Sequence, residues 1–372
     1  MTIELADVFN RFADSYLSRH GASVLPSHRR AIVDIRNCRT EELGGHLYCC
    51  NHCGEEVFAY HSCKNRHCPK CHGEQTGKWL EQRQNEMLPT QYFHITVTIP
   101  KELREIFRSN QKVCYSLLMS VTGKSLLQLA KQVKHVGGIL GILAVLHTWT
   151  RDLLYHPHLH CLVTGGGISE DGRDWVPAKH AYLLPYQPLA QLIRGKLMDA
   201  LRRELPHVSL PKTVWDKEWV IHCTPWGKGE KAILDYLARY AFRIAINNSR
   251  LVSMDETTVT FRFRKRDTGE MKTRTLSGEE FIRRFLQHVL PQGFHKIRYF
   301  GLWHPTNREK LERVRLRLLL DETCEPEQGG DVSGSQITHP KITVHEGAPC
   351  QTCSTGALVL VKTIRRRKAR DP

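Results

Sequence analysis

Between residues 1 and 36, apolar side chains such as Val8, Phe9, Phe12, Tyr16 and Leu17 recur at three-to-four spacing, which predicts helix. A polar, helix-favouring stretch from Gly73 to Leu88 stops at Pro89. The period then changes. Tyr92-Phe-His-Ile-Thr-Val-Thr-Ile99 alternates and is closed by Pro100, as a strand should be. Residues 101 to 134 return to a helical period. A second β region begins near Ile139, contains Leu143 to Trp149 and Pro157 to Val163, and ends at Gly165-Gly-Gly167. Residues 187 to 205 and 230 to 247 read as helices. Thr257 to Phe263 and Met271 to Leu276, joined around Asp267-Thr-Gly-Glu270, read as a hairpin. From Glu325 to Gly347 the chain is rich in Gly, Ser, Pro and Gln, a linker composition, and no internal repeat is visible. The expected fold is α+β, with a mostly antiparallel sheet flanked by helices.

A chain of 372 residues has room for two or three domains. Lys plus Arg number 54 against 38 Asp plus Glu, a net charge of +16, which points to a polyanionic partner. No apolar run approaches the roughly 18 residues of a membrane span; the longest, Gly137 to Leu146, is much shorter. Met1 to Asp7 carries no basic region before an apolar one, so a signal peptide is not expected. The expected location is the cytoplasm.

Seven of the 13 cysteines fall between Cys38 and Cys71, mixed with five histidines from His46 to His72, and such clustering favours metal over disulfides. Cys50-x2-Cys53 and Cys68-x2-Cys71 are two knuckles separated by fourteen residues. Two knuckles complete a tetrahedral Zn2+ site, and four thiolates leave no open position, so the site would be structural. Cys38 with His46, and Cys63 with His67, are the remaining pairs for a second zinc. Lys64, Arg66 and Lys70 on the same loops suit a grip on nucleic acid. Cys350-x2-Cys353 is followed by no second knuckle, so a zinc site in the tail is not expected.

His158-Leu-His160 sits in an apolar strand. Residues two apart share one face, so the two imidazoles can converge on one ion about 6.6 Å from Cα to Cα. His147 on the preceding β run could be a third ligand, as could His156. Open positions would let Mg2+ or Mn2+ bind together with a phosphate and water, although imidazole favours softer ions. Such an ion polarises a phosphodiester.

Tyr236-Leu-Ala-Arg-Tyr240 places two phenols four residues apart. At about 100° per residue, Leu234, Leu237, Ala241, Ile244 and Ala245 form one apolar stripe, with Tyr236, Tyr240, Arg243 and Asn247 on roughly the opposite side. A phenol outside the apolar stripe can act as a nucleophile on phosphorus. Its reference pKa is about 10, so a cation such as a bound ion, Arg239 or Arg243 is needed nearby.

At this point the chain resembles a known family. Phe93 to Pro100, His156-Pro-His-Leu-His-Cys-Leu-Val163 and Tyr236 to Tyr240 look like the three motifs of HUH endonucleases. Cys63-Lys-Asn-Arg-His-Cys-Pro-Lys-Cys71 and Val289-Leu-Pro-Gln-Gly-Phe-His-Lys-Ile-Arg298 are similar, more narrowly, to the rolling-circle, two-tyrosine transposases of the insertion sequence ninety-one family. The resemblance covers about residues 10 to 305. It implies a helical and zinc-binding module over residues 1–88, an HUH endonuclease domain over 89–305 and a basic tail with a linker over 306–372. It also implies cleavage of single-stranded transposon ends, a 5′-phosphotyrosine intermediate and strand transfer to target DNA. Carried onto this chain, His158 and His160 hold the catalytic ion, and Tyr236 and Tyr240 are the nucleophiles.

A replication initiator or relaxase would share this chemistry. A zinc-ribbon DNA-binding protein without catalysis would explain the charge and cysteines but leave the histidines and tyrosines as coincidence. For the DNA surface, Arg262, Arg264, Lys265, Arg266, Lys272 and Arg274 of the hairpin are candidate phosphate contacts. Trp215, Trp219 and Trp226, beside Lys217 and Lys228, are candidate stacking platforms. No G-x4-G-K-[ST] segment is present, so strand separation would need host replication or helicase factors, or DNA that is already single-stranded.

Overall fold

The computed structural model describes residues 2–71, 87–178, 183–216, 218–241, 243–265, 267–322 and 344–367. Most of the expected Gly73–Leu88 helix and of the Glu325–Gly347 linker, together with Lys217 and Arg266, lies outside them. Helices α1 (Leu5–His20) and α2 (Pro26–Arg36) open the chain, followed by β1 (Gly45–Cys50), β2 (Glu56–Tyr60) and β3 (Gln91–Thr98). Helices α3 (Arg104–Ser109) and α4 (Gln111–Ala130) precede β4 (Ile139–Trp149), β5 (Tyr155–Ile168) and β6 (Trp175–Pro177). Then come α5 (Tyr186–Glu204), β7 (Ile221–Lys228) and α6 (Gly229–Tyr236), which runs into a π-helical turn over Leu237–Ala241. The rest comprises β8 (Leu251–Met254), β9 (Thr258–Arg264), β10 (Met271–Ser277), α7 (Gly278–Leu286), β11 (Ile297–Gly301), α8 (Arg308–Glu322) and β12 (Leu358–Ile364). The fold is α+β. Among the described residues, no helix is long and apolar enough to cross a membrane.

The central sheet has the order β11-β4-β5-β3-β7, with β6 paired to β5, and every pair is antiparallel. Alternation gives it two different faces. Phe93, Ile95 and Val97 of β3, Ile142 and Ala144 of β4, and Leu159, Cys161 and Val163 of β5 are buried in one core with Leu118, Met119 and Leu126 of α4 and Leu189, Ile193 and Leu197 of α5. In α4, Gly123 lets the ring of Phe300 on β11 press onto the helix, since a Cβ there would lie 2.6 Å from it. The opposite face carries His94, Thr96, His147, His158 and His160 at one end, and Leu143, Val145 and Leu162 at the other. The α6 segment covers this second face.

Strand β7 escapes the sequence reading because Pro225 and Gly227 interrupt it. It is an edge strand, where a residue without a backbone donor is tolerated, and its pairing with β3 shifts register between Tyr92 and Phe93. The two smaller sheets were only half foreseen. Strands β10-β9-β8 contain the expected hairpin and share a core with α1, α2 and α7 through Phe9, Phe12, Ile32, Phe261, Phe281 and Phe285. Strands β12-β1-β2 form the third sheet, in which the C-terminal strand pairs along β1 from Cys50 opposite Leu358 to Gly45 opposite Ile364.

Candidate active site

The two central strands place His147 directly opposite His158, and β3 places Thr96 opposite His160. One nitrogen from each of His147, His158 and His160 lies within 4.8 Å of the others, so three imidazoles can share one ion. Their remaining nitrogens are engaged. His158 Nδ1 lies 2.7 Å from the carbonyl of His156 and His147 Nε2 lies 2.8 Å from the carbonyl of Tyr240, so each must donate there and leave its other nitrogen as a lone pair. His160 Nδ1 is 2.9 Å from His94 Nε2, which can fix the tautomer in the same sense. Burial pushes His147 and His160 well below the usual imidazole range and His94 down to about 4, and neutral rings are what metal ligation needs. The donor set therefore fits a divalent ion. His156, its ring 5.2 Å from that of His158, is not one of the three; its Nδ1 accepts from Arg104 at 2.7 Å.

His94 is the residue that sequence reasoning passed over. Its signal was present: in Tyr92 to Ile99 the polar positions 94, 96 and 98 alternate with apolar ones and so face the same side as the histidine pair.

Tyr240 lies over these rings. Its centroid is 4.1 Å from that of His160 and 4.7 Å from that of His94. It is half-buried, and burial raises its pKa above the usual 10 while Arg239 and Arg243 pull it back down. The π turn spans this residue, and such turns recur at functional sites. Tyr236 is placed differently from the expectation. Its ring centroid is 5.0 Å from that of Tyr240, but its side chain is fully buried with Leu143, Val145, Leu162 and Ala232 and does not line the cleft. The reason is that the sheet face beyond the histidines is apolar. The phenol ring fills it, so the buried stripe of this helix includes a tyrosine that a count of aliphatic positions leaves out.

The cleft at Tyr240 has a volume of about 930 Å³ and is lined by nine basic residues and one acidic one, Asp152. Arg264, Lys265, Lys272 and Arg274 of the hairpin reach it. Arg262 does not; its guanidinium donates to the Ser249 carbonyl at 2.7 Å. Among the tryptophans, Trp226 stands edge-on to His94 at 5.2 Å, with Arg239 over its ring at 5.1 Å. Trp219 is buried and Trp215 stacks under Arg194 and Arg202, so neither is a platform at this cleft. Lys228 ends β7.

The cysteines form two tetrads, partitioned differently from the sequence expectation. Cys38, Cys63, Cys68 and Cys71 make one, with Cys71 Sγ 3.4 Å from Cys38 Sγ and 3.5 Å from Cys63 Sγ. Cys50 and Cys53 do not join Cys68 and Cys71; they meet Cys350 and Cys353. Strand pairing explains this, because β12 runs beside β1 and brings the tail knuckle to the end of β1. His46 and His67 belong to neither tetrad. His46 meets His61 edge to face, and His67 Nε2 accepts the Leu290 amide at 3.2 Å. Arg66 and Lys70 are likewise tied to protein, Arg66 to the carbonyls of Pro291 and Phe294 and Lys70 to Glu4.

Comparisons with known proteins identify the family. The family described as "Putative transposase" matches residues 141–310, which hold the three imidazoles and both tyrosines. The family described as "Transposase zinc-binding domain" of IS91 type matches residues 8–99. The "Putative transposase y4qJ" of Sinorhizobium fredii (strain NBRC 101917 / NGR234) is 36% identical over 384 residues, covering 96% of this chain and 95% of the relative. The "Transposase for insertion sequence element IS801" of Pseudomonas savastanoi pv. phaseolicola is 30% identical over 286 residues, covering 73% of this chain and 68% of the relative. No solved structure matches. With these matches spanning both the zinc-binding head and the histidine cleft, the chain belongs to the IS91 family of transposases.

Proposed function

We propose that this transposase cuts single-stranded DNA at transposon ends with Tyr240 as the nucleophile and transfers the strand by a rolling-circle mechanism. The observation that carries the reading is the position of Tyr240, its ring 4.1 Å from His160 at the floor of a basic cleft. The phenolic oxygen attacks phosphorus and the bond to the 3′-oxygen breaks. The phosphate stays on Tyr240 as a 5′-phosphotyrosine, and the phenolic hydrogen ends on the freed 3′-hydroxyl. Because the bond energy is kept in the ester, that hydroxyl can later reverse the reaction on another strand. A Mg2+ or Mn2+ ion held by His147, His158 and His160 would polarise the phosphodiester. Arg239 and Arg243 favour the phenolate as it forms, and the basic rim holds the backbone on either side.

Tyr236 is assigned to the second strand end, which requires the helix to turn its phenol out of the core. Strand separation is left to host replication or helicase factors. Labelled single-stranded end DNA, incubated with the protein and Mn2+ and run on a denaturing gel, tests the reading. A covalent adduct should form, vanish in Tyr240→Phe and persist in Tyr236→Phe, whose defect should appear only in completed strand transfer. An adduct that survives Tyr240→Phe overturns the assignment.

A further inference from the structure

We infer that Cys50, Cys53, Cys350 and Cys353 form a second tetrathiolate zinc site, one that fastens the C-terminal strand to the N-terminal head. The match to the zinc-binding family ends at residue 99 and includes only the first two of these thiols. The other two arrive from the far end of the chain, 297 residues from Cys53 to Cys350.

The geometry is that of a metal site. All four Sγ atoms lie within 4.8 Å of one another, with 3.7 Å from Cys50 to Cys353 and 3.7 Å from Cys53 to Cys350. A tetrahedral ion with Zn–S bonds of about 2.3 Å sets its sulfurs about 3.8 Å apart. The two knuckles also repeat one backbone design. In the first, Gly54 at φ +75° donates its amide to the Cys50 carbonyl at 3.1 Å; in the second, Ser354 at φ +57° donates to the Cys350 carbonyl at 3.0 Å. Backbone amides point at the sulfurs, from His52 and Cys53 to Cys50 and from Gly356 to Cys353, all at 3.4 to 3.5 Å. Such donors stabilise thiolate ligands from outside the coordination shell.

The tail is shaped for its partner. A Cβ at Gly356 would stand 2.4 Å from Cys50 Sγ, so only glycine lets the two segments close around the site. Asn51 clamps the same point, its amide donating to the Ala357 carbonyl at 3.1 Å and its Oδ1 accepting the Ala357 amide at 2.9 Å. Beyond the knuckle, Ile364 at the end of β12 and Arg366 just after it enter a cleft of about 1560 Å³ that they share with Arg29, Arg30, Arg39 and Lys64. The zinc therefore makes the tail one wall of a basic surface on the head.

Metal analysis of the purified full-length protein tests this. The wild type should hold two zinc ions per chain, and Cys350→Ser with Cys353→Ser should hold one. Adding Cys50→Ser to that pair should remove no more zinc, because all three residues serve one ion. Gly356→Val keeps every thiol yet should release one of the two zincs to a chelator at least tenfold faster than the wild type, a readout independent of ligand loss. The inference fails if the wild type binds one zinc, if the double variant retains two, if the triple variant loses more than the double, or if Gly356→Val releases zinc at the wild-type rate. None of these readouts depends on DNA cleavage, so they stand apart from the assignment of Tyr240.

Discussion

The two thiol tetrads have the same donors and are placed in opposite settings. Cys38, Cys68 and Cys71 are at most 2% exposed and share a core with Phe9, Ile32, Trp149, Ile246 and Phe285, so their tetrad sits where the N-terminal helices meet the hairpin sheet. Among the described residues the tail tetrad has only a small cluster around it, with Tyr48, Ala348 and Leu358 buried beside its own cysteines and Val57, Ala59 and Val344 packed against them. The connections differ as well. From the first tetrad, Arg66 and His67 bind the backbone of residues 290 to 294, and six residues after Leu290 Lys296 donates to the carbonyls of Ala241 and Arg243 at the end of the tyrosine helix. The first tetrad is thus a footing for the proposed active site, whereas the second attaches a strand. Equal chemistry does not mean equal consequence; what the ligands are built into decides it.

Removing one ligand from each tetrad should expose this asymmetry. Cys68→Ser should cost roughly 4 kcal/mol or more, since it opens a metal site inside a packed core. Cys353→Ser should cost less than roughly 2 kcal/mol, because little apolar surface depends on it. Denaturant unfolding with fitted midpoints and slopes measures both. Adduct formation should fail in the first variant and continue in the second. Similar losses from the two substitutions would show that the tail supports the whole fold.

The path from the first tetrad to Tyr240 can be cut without touching a thiol. Lys296→Met removes both donors at the helix end while keeping an apolar stem over Trp149, 5.3 Å from the amine. A buried hydrogen bond to a charged group is worth roughly 1.5–3 kcal/mol, so adduct formation should fall about 10- to 100-fold. The zinc content should be unchanged. A normal rate in this variant would separate the footing from the chemistry.

Lys296 also offers a pH signature. Burial, reinforced by Arg66 and Arg243, lowers its pKa from the usual 10.5 to about 7. Between these values the unfolded chain holds a proton that the folded chain lacks, so this residue makes stability rise as pH increases from 7 toward 10.5. The slope is at most about 1.4 kcal/mol per pH unit. Below pH 7 both states are protonated and the cost of burying the charge is fully present. Unfolding curves across this range should flatten in Lys296→Met relative to the wild type. An identical slope in both proteins would mean that the amine titrates normally.

What could be read from the sequence was local. The His158-x-His160 pair showed itself because strand alternation ties two side chains to one face, and the hairpin because its turn and alternation are contiguous. Tyr236 was misplaced because a phenol is both polar and large, and only the shape of the opposing sheet decides which property is used. The partition of the cysteines was out of reach for another reason. Cys50 and Cys53 find their partners through the pairing of β1 with β12, a contact between distant segments that no spacing rule encodes. His67 looked like a ligand by residue type, and its role in holding Leu290 likewise depends on a contact more than 200 residues away.

The smallest expected effect concerns the salt bridges at the end of the tail. Arg367 pairs with Glu41 at 3.0 Å and with Glu42 at 2.9 Å, and its side chain is 62% exposed. Exposed pairs of this kind contribute roughly 0–1 kcal/mol and are screened by salt. If zinc and the β1–β12 ladder hold the strand, Arg367→Ala should leave amide protection of residues 358 to 364 nearly unchanged, and raising the salt should do no more. Hydrogen exchange followed by mass spectrometry reads both conditions on the same peptide. Loss of protection in Arg367→Ala, matched by the wild type at high salt, would make the attachment electrostatic and reduce the tail tetrad to a bystander.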